Sequence, residues 1–294
     1  IGTRNGLNRY DGKDFEIYNK SLDGKPGLNH EYIVALYEDG QNIIIGTNEG
    51  INLYNRNLNI ITPYPFINEG KTIKNEVFET IVKKDGILWL GSESNGLYSY
   101  EIKTGKVKHF SPPNEHIKVE NPRLNKVVKV DVLDSNRILV VFTYNTLLLN
   151  YEMEIISEIL QTEEIVTGIN SSENTLLIGS GRGSLFKLVI DANSIHINKE
   201  KDISPGFSLR SLEKNLDNEL WIGTENNGLH IYNENLDFIR HIEYNVTRPN
   251  SISGNSIWAL LCTRDGTMWI APYKSGLNIY DKEYYKFKHI NSDP

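Results

Sequence analysis

One phrase returns seven times along this chain and limits what it can become. It is a short hydrophobic run closing on Gly or a small substitute, a polar loop holding Thr or Ser, then Gly-Leu-x-x-Tyr or a worn form of it. The chain opens on Ile1-Gly2-Thr3 with Gly6-Leu7-Asn8-Arg9-Tyr10, and Ile45-Gly46-Thr47 with Gly50-Ile51-Asn52-Leu53-Tyr54 follows. Two copies gain a tryptophan, at Leu88-Trp89-Leu90-Gly91-Ser92 and Leu220-Trp221-Ile222-Gly223-Thr224. Weaker copies lie at Ile178-Gly179-Ser180 and Trp269-Ile270-Ala271, and the most worn holds Val140-Val141 and Thr146-Leu147-Leu148-Leu149. Residues 6, 50, 96, 146, 183, 228 and 276, each the second small position, are spaced by 44, 46, 50, 37, 45 and 48. A period near 45 residues marks a β-propeller or another repeat array. Each copy is too small to bury its own faces, so the copies must pack on one another and share their stability.

Within a copy the residues divide into four strands, A to D. Turn-forming pairs (Asp39-Gly40, Asp85-Gly86, Ser135-Asn136, Glu173-Asn174, Asp217-Asn218, Asp265-Gly266) separate A from B, because Gly and Asn tolerate the positive φ of a two-residue hairpin. Ile33 to Tyr37 and Ile257 to Leu261 are nearly continuous apolar runs, as expected for an A strand covered on both faces. Strand B carries the Trp or its replacement, and strand C is the Gly-Leu-x-x-Tyr segment. Strand D alternates with lysines, as in Val107-Lys108-His109-Phe110, which suits a solvent-facing edge.

Six full A-to-D units and one leading B-C-D unit predict an all-β, seven-bladed β-propeller of four-stranded antiparallel blades with an incomplete first blade. The remnant covers residues 1–20 and the repeats about 29–66, 75–112, 125–160, 163–200, 207–244 and 255–292. The chain begins inside a repeat, so 1–294 reads as a single domain excised from a longer protein. A seventh A strand would then come from beyond Pro294 or be missing.

Composition excludes several classes. A net charge of −7 argues against nucleic acid as a partner, which needs a basic face. Cys262 is the only cysteine, so no disulfide framework forms, and a small apolar role suits it better than a reactive thiol. No run approaches the ~20 apolar residues of a membrane span. The seven histidines (His30, His109, His116, His196, His230, His241, His289) never take a metal-ligating spacing, and no nucleophile elbow, P-loop or catalytic carboxylate pair appears. No catalytic residue, metal or cofactor is expected. Thr263-Arg264-Asp265-Gly266-Thr267 is one residue short of a sialidase Asp-box and reads as a hairpin turn. Asn29, Asn75, Asn125 and Asn255 each precede strand A at a fixed offset, and repetition in several sectors suits a scaffolding role.

The loops between B and C and between D and A should share one face, where residues differ from copy to copy. Acidic Glu49, Glu93 and Glu225 alternate there with Arg4, Arg182 and Lys274, a mixed charge better fitted to a polyol or sugar than to a metal. Candidate ligand-binding residues are Arg4, Asn48, Glu93, Tyr144, Arg182, Asn226, Tyr273 and Lys274.

The order of Asn, apolar strand, Asp-Gly, Trp-Ile-Gly-Thr, polar loop and Gly-Leu-x-x-Tyr resembles the two-component regulator propeller repeat. Trp221 to Tyr232 and Ile1 to Gly12 carry the resemblance most fully, and it extends over essentially the whole chain. The copy from Asn125 to Tyr151 departs from it most. The resemblance implies a periplasmic sensor region of a bacterial hybrid two-component system, of a type common in gut Bacteroidetes. A membrane span and histidine kinase would lie elsewhere in the parent. It also implies an oligosaccharide cue, a second propeller in the same parent chain, and a homodimer. The rival readings are a protein-interaction scaffold or spacer propeller and a lyase-type propeller enzyme, which would need a His and acid or metal cluster on one face.

Overall fold

In the computed structural model, which describes residues 1–21, 26–64, 67–68, 71–72, 76–113, 123–248, 250–281 and 286–290, seven antiparallel blade sheets follow one another along the chain, with a two-stranded hairpin, Ile67–Asn68 and Lys71–Thr72, between the second and the third. In each sheet, strands adjacent in sequence are paired. The first sheet has three strands, Gly2–Thr3, Gly6–Tyr10 and Phe15–Tyr18. The other six have four. Their A strands are Ile33–Asp39, Phe78–Lys84, Val127–Val132, Ile165–Ser172, Leu209–Lys214 and Ile257–Cys262. Their B strands are Asn42–Thr47, Ile87–Ser92, Arg137–Phe142, Thr175–Ser180, Leu220–Thr224 and Met268–Pro272. The C strands are Gly50–Asn55, Leu97–Glu101, Asn145–Asn150, Ser184–Ile190, Leu229–Tyr232 and Leu277–Asp281. The D strands are Ile60–Pro63, Val107–Phe110, Ile155–Leu160, Ile195–Asp202, Phe238–Ile242 and Lys286–Ile290. The fold is an all-β, seven-bladed β-propeller whose first blade has three strands. The chain divides into two compact units, Ile1–Leu160 with blades one to four and Gln161–Pro294 with blades five to seven.

Inside each unit the repeated phrase acquires physical meaning. The Gly that ends strand B lies where the next blade's strand A arrives. A Cβ at Gly2 would sit 2.7 Å from Ile33 Cγ2, one at Gly91 2.5 Å from Val127 Cγ1, one at Gly179 3.0 Å from Leu209 Cβ, and one at Gly223 2.8 Å from Ile257 Cβ. Real carbon contacts do not come so close, so Gly sets the approach of consecutive blades. The Thr or Ser that follows closes the B-to-C loop with its buried hydroxyl. Thr224 Oγ1 donates to the Gly228 carbonyl (2.8 Å) and accepts from Asn227 N (3.1 Å), and Thr47 repeats the pattern with Gly50 and Glu49.

Hydrophobic clusters join consecutive blades, as expected for units that cannot bury their own faces. Trp89 and Leu97 of blade three pack with Val127, Val130 and Val140 of blade four, and Trp221 and Leu229 of blade six with Ile257, Met268 and Tyr280 of blade seven. Lysines on strand D extend these contacts. Lys108 reaches Tyr151 O (3.4 Å) of the next blade and Lys201 reaches Leu236 O (2.6 Å), so they tie blades together as well as guarding an edge.

Two expectations are corrected. Strand A is not covered on both faces: Leu36, Trp258 and Leu261 are 44%, 41% and 57% exposed. Strand A is an edge strand of its sheet, so part of its apolar run meets solvent. The turns also vary. Asp85 and Gly86 both take positive φ (53° and 76°), as a two-residue hairpin demands. Asp39 pairs with Asn42, so that turn is Gly40-Gln41, one residue later than predicted. At Ser135-Asn136 the Asp134 carboxylate instead accepts the N–H groups of Asn136 and Arg137, each at 2.9 Å.

Candidate functional site

The B-to-C loops are fixed to the start of strand A by one repeated backbone bond. The N–H of Asn48 donates to Tyr32 O, Glu93 to Val77 O, Gly181 to Glu164 O, Glu225 to Ser208 O and Tyr273 to Ser256 O. The two segments therefore share a face, as the sequence predicted. Its capping groups are the scaffolding asparagine or an acidic stand-in. Asn29 accepts from Thr47 Oγ1 (2.8 Å), while Glu76 accepts from Ser92 Oγ and Glu163 from Ser180 Oγ. Asn255 accepts from Tyr244 N (2.7 Å), and Asn75 lies outside the described residues.

Strand A begins with a β-bulge in every four-stranded blade, between a buried first residue and the third. The extra residue is Val34, Glu79, Val128, Val166, Arg210 or Trp258. A bulge leaves its extra residue outside the ladder and re-aims the side chain. In the second unit two successive bulge residues meet, with the Arg210 guanidinium carbon 5.4 Å from the Trp258 ring centroid. Tyr273, in the B-to-C loop of the same blade, stacks on Trp258 with centroids 4.7 Å apart and planes 20° from parallel. Lys274 Nζ lies 5.1 Å from the Tyr273 centroid, and Arg210 Nε donates to Glu225 Oε2 at 3.0 Å. Ser256 Oγ donates to Asn226 Oδ1 (2.6 Å) and accepts from Asn226 N (3.1 Å). The result is a ladder of Arg210, Trp258, Tyr273 and Lys274 edged by amide, hydroxyl and carboxylate groups. Two large aromatic rings, 41% and 37% exposed, stand side by side on a surface where rings of this size are usually covered.

Three of the eight predicted residues, Asn226, Tyr273 and Lys274, belong to this ladder or its edge. Arg182 is exposed on the B-to-C loop of blade five, held by its N–H to Ser180 Oγ (3.2 Å). In the first unit Arg4 lies over the Tyr32 ring at 5.2 Å, and Asn48 donates to the Tyr32 carbonyl (3.2 Å). Glu93 and Tyr144 are half-buried in the loops of blades three and four. Two of the three acidic loop residues have cationic partners: Glu49 pairs with Lys20 at 3.5 Å and Glu225 with Arg210. Among the described residues no group of three His, Cys, Asp or Glu side chains could hold a metal ion.

His109, His230 and His241 have structural partners. His109 Nε2 bonds the Asn95 carbonyl (2.5 Å), and His241 Nε2 bonds the Asn227 carbonyl (2.8 Å). His230 stacks on His241 at 4.1 Å, and desolvation, reinforced by the neighbouring imidazole, pushes its pKa down to about 4. Burial also raises the Cys262 thiol above its ordinary value, which leaves little thiolate. His116 lies outside the described residues.

Residues 251–274, which bring Ser256, Trp258, Tyr273 and Lys274 into one blade, match the profile of the family described as two component regulator propeller. This is the family whose phrase the sequence resembles. The match is about one half of a repeat long, 24 of the 294 residues. No curated protein matches the chain. Among solved structures, it is similar to the extracellular domain of BT4673 from B. thetaiotaomicron, described in one crystal structure as a hybrid two component system and in another as a one component system. The TM-scores are 0.74 and 0.72 at 21% and 20% identity, over 99% of this chain and 36% of that one. The WD40 β-propeller domain of Doa1 matches with a TM-score of 0.66 at 11% identity, over 96% of this chain and 88% of that one. At these identities the likeness is one of fold. Among the described residues no helix is long and apolar enough to cross a membrane.

Arg210, Trp258 and Ser256 lie outside the B-to-C loops, in or beside strand A, and are not among the residues the sequence singles out. The signal was in strand A. Its second position reads Val, Glu, Val, Val, Arg, Trp through the six full copies, an irregular column beside a uniformly buried apolar first position.

Proposed function

We propose that this chain is a non-catalytic sensor module of a hybrid two-component system, placed in the periplasm, that takes part in recognising a glycan-derived ligand. Its seven blades would act as one domain of a longer parent, beside a second propeller and within a homodimer, and would bias a histidine kinase through differential binding to two packing states. The observation that carries this reading is the exposed Trp258–Tyr273 stack with cations at both ends and hydrogen-bonding groups along its edge. The two rings cover one face of each other and Arg210 and Lys274 stand over the outer faces, so a sugar would lie along the exposed edge of the stack with its hydroxyls toward Asn226, Ser256 and Glu225. The two-component regulator match over the same blade supports the signalling part.

Covering the exposed part of Trp258 removes on the order of 80 Å² of aromatic surface from water, about 2 kcal/mol, so Trp258→Ala should weaken the ligand roughly 30-fold. The test is thermal unfolding of the chain with plant and host oligosaccharides, paired with NMR of the tryptophan indole N–H groups. A saturable rise in melting temperature with one glycan class, a moving Trp258 resonance, and loss of both in Trp258→Ala support the reading. If no glycan moves Trp258 in a cooperatively folded protein, direct glycan sensing by this propeller is wrong and a spacer or scaffold role takes its place.

A further inference from the structure

At the other end of blades six and seven, on the order of 15 Å from Trp258 by the rise of a strand, a cleft of about 730 Å³ opens between their A-to-B turns. Its floor is the buried Trp221 indole, packed on the Tyr280 ring at 5.2 Å. The Arg240 guanidinium reaches over both rings, 5.9 Å from the Trp221 centroid and 5.5 Å from that of Tyr280, and donates to Tyr280 Oη at 3.3 Å. Two donors on this floor, Trp221 Nε1–H and Arg240 Nε–H, are buried without a hydrogen-bond partner among the described residues. Leaving such groups unmade costs roughly 1–3 kcal/mol each, more for a charged one. The rim carries Asp217, Glu219, Asp265 and Asp281.

The repeat supplies its own reference. Between blades three and four Trp89 packs on Tyr151 at 5.3 Å, and the strand-D residue aligned with Arg240 is Lys108. There the cation is answered from within the protein: Lys108 pairs with Glu152 and reaches Tyr151 O, while Tyr151 Oη donates to Asp134 O at 2.9 Å. The Trp89 indole N–H also lacks an acceptor, so a bare indole belongs to the repeat. A buried guanidinium donor without acceptor or carboxylate among the described residues belongs to blade six alone of these two.

We propose that this cleft binds a small zwitterion, a free amino acid or short peptide, with its carboxylate on the Arg240 guanidinium above the Trp221 floor and its ammonium among the rim carboxylates. A purely anionic ligand would meet four carboxylates against one guanidinium, and a purely cationic one would meet Arg240 at the floor. The volume lies in the range of small-molecule sites and exceeds what one amino acid needs, which favours two or three residues.

The chain has only four tryptophans, so its indole N–H resonances separate this cleft from the aromatic ladder. The probes are the free amino acids, dialanine and trialanine, and the N-acetyl and C-amide forms of trialanine. The expected result is a saturable shift of Trp221 with Trp258 still, weakened at least tenfold by blocking either end of the peptide. Arg240→Gln should abolish the shift and Arg240→Lys should weaken it, with the other three indole resonances confirming the fold. No Trp221 shift with any zwitterion, equal binding of the blocked peptides, or a response surviving in Arg240→Gln would each overturn the proposal. Because the readout is Trp221, failure here is distinct from failure of glycan binding at Trp258.

Discussion

Gly223→Ala tests the packing of blades six and seven and, through it, the aromatic ladder. Gly223 closes strand B of blade six outside the positive-φ region, so its backbone does not exclude alanine. Ile257 does. An added Cβ would lie 2.8 Å from both Cβ and Cγ2 of Ile257 and would also press on Ser211 Oγ. Ser211 can rotate away, but it then forfeits its bond to the Ile257 carbonyl (3.3 Å), worth about 0.5–1.5 kcal/mol. Ile257 Cβ cannot rotate, because it is fixed to the strand. Ordinary contact begins at 3.4 Å, so strand A of blade seven must retreat by 0.6 Å. Overpacking of this kind costs roughly 1–3 kcal/mol, and the lower unfolded-state entropy of alanine returns about 0.5–1. The net expectation is a loss of about 2 kcal/mol, on the order of 5 °C in melting temperature. Because Trp258 follows Ile257, its indole resonance should move as well. The control is Gly40→Ala, where nothing lies within 4 Å and only a φ of 59° opposes the change. It should cost about 1 kcal/mol and leave Trp258 unmoved. Denaturant midpoints followed by tryptophan fluorescence measure both. A Gly223→Ala protein within about 0.5 kcal/mol of wild type, or no worse than Gly40→Ala, would refute the claim that the repeated Gly exists for blade contact.

Two further outcomes follow from the same blade. The folded-state pKa of His230 near 4 lies below the ordinary 6.5, so an unfolded chain takes up a proton that the folded one refuses. Stability should therefore be undiminished above pH 6.5 and fall between pH 6.5 and 4, by at most about 3 kcal/mol. Tyr98 faces His109 at the position where His230 faces His241, so His230→Tyr is the substitution the repeat itself supplies. A slope unchanged in that variant would assign the pH dependence elsewhere. Thr224→Val keeps the shape of a fully buried side chain and removes its bonds to Gly228 O and Asn227 N. A loss of about 1–3 kcal/mol in denaturant unfolding is expected, and a loss under about 0.5 kcal/mol would show that the loop closes without the hydroxyl.

The fold was readable because a propeller repeats its constraints. Gly223 and Gly91 each meet the next strand A, and Thr47 and Thr224 each close a loop, so the same physics leaves the same letters at a fixed interval. The candidate site obeys the opposite rule. Arg210 and Trp258 stand at bulges that every four-stranded blade shares, but a bulge residue leaves the ladder and is released from the cross-strand pairing that fixes its neighbours. Glu79 uses that freedom to pair with Lys126, Arg210 to reach Glu225, and Trp258 to stack on Tyr273. Loop residues such as Tyr273 and Lys274 were visible as departures from the phrase, whereas Trp258 sat inside an apolar run and passed for core. Its 41% exposure follows from strand A being a sheet edge, which hydrophobic periodicity does not report. In a repeat protein the conserved letters thus reveal what holds the blades together, and function is better sought in the column where a shared backbone irregularity carries unlike residues.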